Sequence, residues 1–241
     1  MAPATTKNGE AKQTYSTTGT VSAPVNLDQL VPQGEHTAVK LNGSAKNISP
    51  KPKVTLTSLT PNNSGTLRRI NSVVIPVVYS DKFYKDVLDP NLDDINKLIY
   101  YGDIPVGALC ARIETVDSKP TLTILTLAVL APYRSLSLGS ALVLNALRHA
   151  LHPTPPPPPV PSDTKTNTRA SLTVTPRKPA GRAMAHVQVG NDRAKRFYER
   201  LGFKETETVK DYYKQTQPAD AVLMVCEDIS AALGDGPNGT A

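Results

Sequence analysis

Arg134, Ser135, Ser137, Gly139 and Ser140 crowd into one short stretch of this 241-residue chain. They follow the apolar run Thr121–Leu130 and lead into an amphipathic run, Leu138–Leu151. A strand that feeds a small-residue turn at a helix start suits phosphate. Unpaired backbone N–H groups and the positive end of the helix dipole converge there, and Arg134 adds a fixed charge. This pattern points to a nucleotide-like ligand gripped mainly by backbone. His186 offers a second kind of chemistry. It opens an apolar segment, and its imidazole titrates near neutrality, so it can take up a proton directly or through one water. A strand-end histidine with a structural hydrogen bond is the other reading of the same residue. His36, His149 and His152 fall in predicted coil or at a helix end, and no such role is expected of them. Cys110 and Cys226 sit inside apolar runs without metal-like spacing, so they read as buried hydrophobes and no metal site is expected.

A mixed α and β pattern must hold these residues. Asn71–Val78 reads as a strand, and Asp81–Leu88 and Leu92–Leu98 read as short helices punctuated by Pro90, with Asp89 as an N-terminal signal. Leu98–Tyr101 reads as a short strand that turns at Gly102–Asp103 into Ile104–Val116. Thr121–Leu130 is the central strand, stopped before Pro132, and Leu138–Leu151 is the helix after it. Met184–Val189 reads as a strand, Asp192–Leu201 as a helix closed by Gly202, and Phe203–Val209 and Ala221–Glu227 as the last strands. Residues 1–60 are rich in Thr, Ser, Asn, Gly and Lys and lack periodicity. They cannot bury enough apolar surface to offset the entropy of ordering, so disorder is expected, with Val21–Val31 and Val54–Leu59 as candidate docking segments. Residues 61–229 read as one domain, interrupted at 153–182 by a low-complexity insertion. Its prolines, Pro155–Pro159, favour extended polyproline II and suit a spacer or an SH3-type ligand. Residues 230–241 read as a flexible tail.

The net charge of +6 raises the question of nucleic acid. Within 153–182, however, Lys165, Arg169, Arg177, Lys178 and Arg182 stand against Asp163 alone, which is +4 of that excess. The charge belongs to one loop and reads as a solvated face, so direct nucleic-acid binding is not expected. With no signal-type leader and no apolar run long enough to span a bilayer, a cytoplasmic protein is expected.

Four segments together carry a family resemblance. Arg134-Ser-Leu-Ser137-Leu-Gly139 resembles the Arg/Gln-x-x-Gly-x-Gly/Ala pyrophosphate turn of the GCN5-related (GNAT) acetyltransferases, with Ser137 at the first glycine. The segments Asn71–Asp86, Ala185–Phe203 and Asp211–Ala221 resemble the San-type N-alpha-acetyltransferases, the catalytic subunits of NatE. The resemblance runs from about residue 68 to 229, broken by one insertion. It implies the α/β (α+β) fold of that family, a mostly antiparallel seven-stranded sheet with flanking helices, whose fourth and fifth strands splay to admit acetyl-CoA. It also implies transfer of acetyl from acetyl-CoA to protein N-termini beginning with Met and a hydrophobic residue, and association with the NatA complex and the ribosome.

The same resemblance assigns residues. His186 would act as base, with Thr123 at the place where the family usually has a tyrosine acting on the amine. Threonine cannot accept a proton near neutrality, but it can hold an ordered water. Tyr198 would approach the sulfur of acetyl-CoA and steady the leaving thiolate, or else be a core aromatic beside Phe197. Leu127 and Val129 would bond the pantetheine arm through their backbone, Asn191 would bond it further along, and Arg134, Ser135, Ser137, Gly139 and Ser140 would cradle the pyrophosphate. Ile75, Pro76, Val77 and Tyr79 on one side, and Tyr212 and Tyr213 on the other, would line the peptide site. The paired tyrosines could instead be plain packing. Two rival readings are a catalytically weak binding subunit of the NatA/NatE complex, favoured by Thr123 and Ser137, and a lysine-acetylating relative of the same fold.

Overall fold

Apolar side chains facing both ways along two long strands create the spine of the molecule. The structure, a computed structural model, describes residues 31–33, 36–39, 53–154, 177–214 and 216–234. Nine strands form one sheet: β1 (Val31–Gln33), β2 (His36–Val39), β3 (Val54–Ser58), β4 (Lys97–Tyr101), β5 (Ile104–Val116), β6 (Lys119–Val129), β7 (Arg182–Gln188), β8 (Lys204–Val209) and β9 (Ala221–Cys226). Their spatial order is β1-β2-β3-β4-β5-β6-β7-β9-β8. Strands β3 to β9 make up the expected seven-stranded sheet, and β1 and β2 extend it beyond β3. Every pairing is antiparallel except β6 with β7.

The helices sort onto two faces. One face carries α1 (Ser64–Val74) and α2 (Asp81–Asp86), which bury Leu67, Ile70, Tyr84 and Val87 against Leu98, Ala108, Cys110 and Ala128. The other carries α3 (Leu138–Leu151), α4 (Asp192–Glu199) and α5 (Ile229–Leu233). There Leu138, Leu142 and Leu147 meet Leu109, Leu122 and Ile124, and Tyr198 and Phe203 join the same cluster. The two layers enclose a sheet apolar on both sides, which is why β5 and β6 read as near-continuous hydrophobic runs rather than alternating ones. Among the described residues no helix is long and apolar enough to cross a membrane.

Four expectations are corrected. Asn71–Val78 is not a strand: residues 64–74 form α1, whose inward face repeats at Leu67, Ile70 and Val74 and also carries the buried Asn71. Val73, β-branched, is 70% exposed on the outer side of this helix, so helical packing of the other face outweighs β-branched preference here. Leu92–Leu98 is not a helix either. A single 3-10 turn, Pro90–Leu92, capped by the Asp89 side chain, leads through tight turns into β4. The sheet also begins well before residue 61. Val54 and Leu56 are buried and β3 pairs with β4, which places part of the supposed disordered extension inside the core. At the other end α5 continues past residue 229 to Leu233, with Asp228 accepting a hydrogen bond from the Ala231 N–H. The proline run Pro155–Pro159 and residues 21–30 of the first candidate docking segment lie outside the described residues.

Candidate active site

The chemistry gathers where β6 and β7 part. Their parallel pairing runs from Thr121 with Arg182 to Ile124 with Ala185 and then stops, although both strands continue. A bulge at Leu125 starts the separation, because Cys110 pairs with Thr126 while Ala111 pairs with Ile124. Beyond it, Leu130 donates its N–H to the Val106 carbonyl across β5. Alternation along the strand therefore turns the backbone groups of Leu127 and Val129 the other way, into the gap. Arg134 Nε donates to the Val129 carbonyl at 3.0 Å, so the arginine is tied to the mouth of that gap.

The turn after β6 presents donors. α3 starts at Leu138 with Ser137 as its N-cap, and the first backbone bond of this end is Ala141 N–H to the Ser137 carbonyl. No acceptor among the described residues takes the backbone N–H groups of Ser135 through Ser140. Ser135 and Ser137 stand at φ 66° and 60°, the left-handed region that favours glycine and that curls a chain in the manner of an anion-binding turn. A Cβ on Gly139 would meet nothing in the protein closer than 3.5 Å, at the Phe197 ring. Packing alone thus does not demand a glycine there, whereas a close backbone approach to a ligand does. Arg193, in the first turn of α4, reaches across to the Ser135 hydroxyl at 3.4 Å and adds a second cation to the rim.

His186 sits on β7, half-buried, and its ring stacks on Tyr212 with centroids 4.1 Å apart and an 11° angle between planes. Burial holds its imidazole below the ordinary value, while Glu114 and Glu207 pull it upward. A neutral imidazole near pH 7 is the form able to accept a proton. Tyr213 donates its hydroxyl to the His186 carbonyl at 3.2 Å and packs edge-on to Tyr212, so both tyrosines fix the histidine. Burial pushes the Tyr213 hydroxyl up to about 12. It raises Tyr212 as well, with Arg112 pulling that residue down and Glu114 pushing it up.

The remaining candidates divide by position. Thr123 lies on the His186 face of the sheet, since it pairs with Met184 two residues before the histidine. It is 4% exposed and donates to Glu114 Oε1 at 2.5 Å. Tyr79 is half-buried, stacks near Phe83 at 4.5 Å, and has its hydroxyl raised far above the usual range by burial and by Tyr213 and Tyr212. That electrostatic contact brings Tyr79, from the segment between α1 and α2, towards the pair that follows β8. Ile75 and Val77 are half-buried and Pro76 exposed along the same segment. Tyr198 is buried between Phe197 and Phe203, and burial keeps its hydroxyl protonated far above neutrality. Asn191 spends its side-chain oxygen on the Ala194 N–H, capping α4, so only its amide NH₂ is left for a ligand.

Glu114 and Arg112 are the residues that the reading of the sequence missed. Both point to the His186 face, two apart on β5, and Arg112 pairs with Glu114 at 2.8 Å. Two opposite charges at a period of two on an otherwise apolar strand were the available signal.

The sequence matches the acetyltransferase (GNAT) family over residues 66–153. It is 38% identical over 174 residues to N-alpha-acetyltransferase 50 of Danio rerio, an alignment covering 72% of this chain and 88% of that protein. It is 35% identical over 171 residues to the probable N-acetyltransferase san of Drosophila melanogaster, covering 71% of this chain and 79% of that one. Among solved structures it is similar to Arabidopsis thaliana Naa50 in complex with the bisubstrate analogue CoA-Ac-MVNAL, with 30% identity, a TM-score of 0.57, and coverage of 71% of this chain and 97% of that one.

Proposed function

Since the chain belongs to the GNAT family of N-acetyltransferases, we propose that its groove joins acetyl-CoA to the α-amine of a protein N-terminus beginning with Met and a hydrophobic residue. The observation that carries this reading is the convergence at the β6–β7 fork. An anion-binding turn stands at one end of the gap, open backbone along its wall, and a half-buried histidine fixed by two tyrosines stands on the neighbouring strand. The donors left unpaired from Ser135 to Ser140, with Arg134 and Arg193, fit a pyrophosphate. The backbone groups of Leu127 and the N–H of Val129, whose carbonyl is held by Arg134, fit the amides of a pantetheine arm lying as an added strand. When bound, acetyl-CoA supplies an activated acyl group.

The chain's own groups handle the amine. An α-amine has an ordinary pKa of about 8, so a fraction is already neutral near pH 7 and only a modest base is needed. His186, kept neutral by burial, takes the proton released as the amide forms. Tyr198, kept protonated by burial, offers a hydrogen bond to the departing thiolate. Tyr79, Tyr212 and Tyr213 wall the opening together with Ile75, Pro76 and Val77, and exclude water from the reacting amine. We further propose, from the resemblance of its sequence to the San-type enzymes, that it works in the cytoplasm beside the ribosome-bound NatA complex.

Steady-state acetylation of a Met-Leu N-terminal peptide by the purified full chain tests the reading. Turnover is expected, with a loss of about 10²- to 10⁴-fold in His186→Ala. Tight acetyl-CoA binding without turnover of any N-terminal peptide would overturn it in favour of a binding subunit, the reading that Thr123 favours.

A further inference from the structure

Glu114 is held at both oxygens. Oε1 accepts the Thr123 hydroxyl at 2.5 Å, and Oε2 pairs with Arg112 at 2.8 Å. Its side chain is still 28% exposed, so a carboxylate in a single orientation keeps part of its surface open on the floor of the groove. Arg112, Glu114, Thr123, Met184 and His186 all project from one face of β5, β6 and β7, as their register requires. Thr123 is too short and too buried to reach a substrate amine itself. Its hydroxyl is committed to the carboxylate.

The groups that face His186 come from three elements. Glu114 approaches from β5 and Glu207 from β8, while Tyr212 stacks on the ring from the segment after β8 and Tyr213 holds the backbone. Glu207 lies on an exposed strand and is screened by water, whereas Glu114 is inside the groove and fixed.

We propose that Glu114, anchored by Thr123 and Arg112, is the carboxylate that stabilises the positive charge His186 acquires when it takes the proton of the attacking amine. That role rests on the acetyl-transfer reading above. In that step the amine nitrogen forms a bond to the thioester carbon, and the carbon–sulfur bond breaks. The surplus proton on nitrogen passes to the His186 imidazole, and the thiolate leaves with a proton returned from the imidazolium or from solvent. Imidazolium is thus the one cation created inside the groove, against the Tyr212 ring and on the sheet face that carries Glu114. An aromatic face and a fixed carboxylate both favour it. Glu114 is a positioning residue in this scheme, acting on His186 and not on the substrate. Thr123 takes on a purpose that its chemistry allows, holding a carboxylate in place.

Proton NMR titration of the full chain reads this directly, with His186→Ala assigning the resonance. In Glu114→Gln the His186 midpoint should move to lower pH, and Glu114→Asp should recover part of the difference. Glu207→Gln should move it less. In the peptide assay the acid limb of kcat/KM should follow the same displacement. A midpoint lowered by one pH unit should cost up to about tenfold at neutral pH, with an unchanged KM for acetyl-CoA. An unmoved His186 midpoint in Glu114→Gln overturns the proposal. So does a loss of activity accompanied by weaker acetyl-CoA binding and a lower melting temperature, because that marks a merely structural role. If the wild-type chain acetylates no peptide, the acetyl-transfer reading fails, and the NMR titration still decides whether Glu114 governs His186.

Discussion

Removing the carboxylate of Asp94 should unfasten the base of the insertion. Asp94 accepts a two-pronged contact from Arg177, at 2.9 Å to Oδ1 and 2.8 Å to Oδ2, and the Thr154 N–H at 3.1 Å. One side chain thus grips the last described residues before position 155 and the first after 176. Arg177 also donates to the His149 carbonyl at 2.7 Å and to the Asn91 carbonyl. The two side chains are only 13% and 10% exposed, so water screens them little. Taking one partner from such a pair leaves the other charge buried and uncompensated, at a cost of about 3–5 kcal/mol. A domain of this size loses roughly 2–4 °C of melting temperature per kcal/mol, so Asp94→Ala should melt about 6–20 °C lower. Urea denaturation gives the free energy directly. The double variant Asp94→Leu/Arg177→Met removes both charges and should be more stable than Asp94→Ala, since apolar replacements of a buried pair are often neutral or better. A loss below about 1 kcal/mol in Asp94→Ala, the value of an exposed pair, would refute the reasoning.

Two further stability predictions concern backbone positions. Ser137 stands at φ 60°, where a side chain costs about 1–2 kcal/mol, so Ser137→Gly should raise the melting temperature by a few degrees after the entropy of the freer unfolded chain is subtracted; calorimetry that shows a fall would contradict this. At Gly107 a Cβ would lie 2.6 Å from the Ala128 carbonyl oxygen on the neighbouring strand, a backbone atom that cannot step aside. Gly107→Ala should therefore destabilise by about 1–3 kcal/mol in urea denaturation, and an unchanged midpoint would mean that β5 and β6 can shift apart.

Local sequence determined the pieces whose signals are local. The apolar runs Ile104–Val116 and Thr121–Leu130, the helix Leu138–Leu151 and the left-handed stop at Gly202 carry their own periodicity and punctuation, and the structure has them at or near the same bounds. The strand–turn–helix passage over residues 129–140 was legible for the same reason, because small residues and an arginine between a strand and a helix constrain the backbone by themselves. Tertiary structure decided the rest. Residues 71–74 became helix because Leu67, Ile70 and Asn71 have a sheet face to bury against, and Val73 simply remains in water. Val54–Ser58 became a strand because β4 offers it an edge, a partner about forty residues further along the chain. Glu114 gained a role only when β6 brought the Thr123 hydroxyl to its carboxylate and β7 set His186 on the same sheet face. No window of sequence holds those three residues together, and the physics that joins them, a shared sheet face and one hydroxyl-to-carboxylate contact, exists only after the strands have paired.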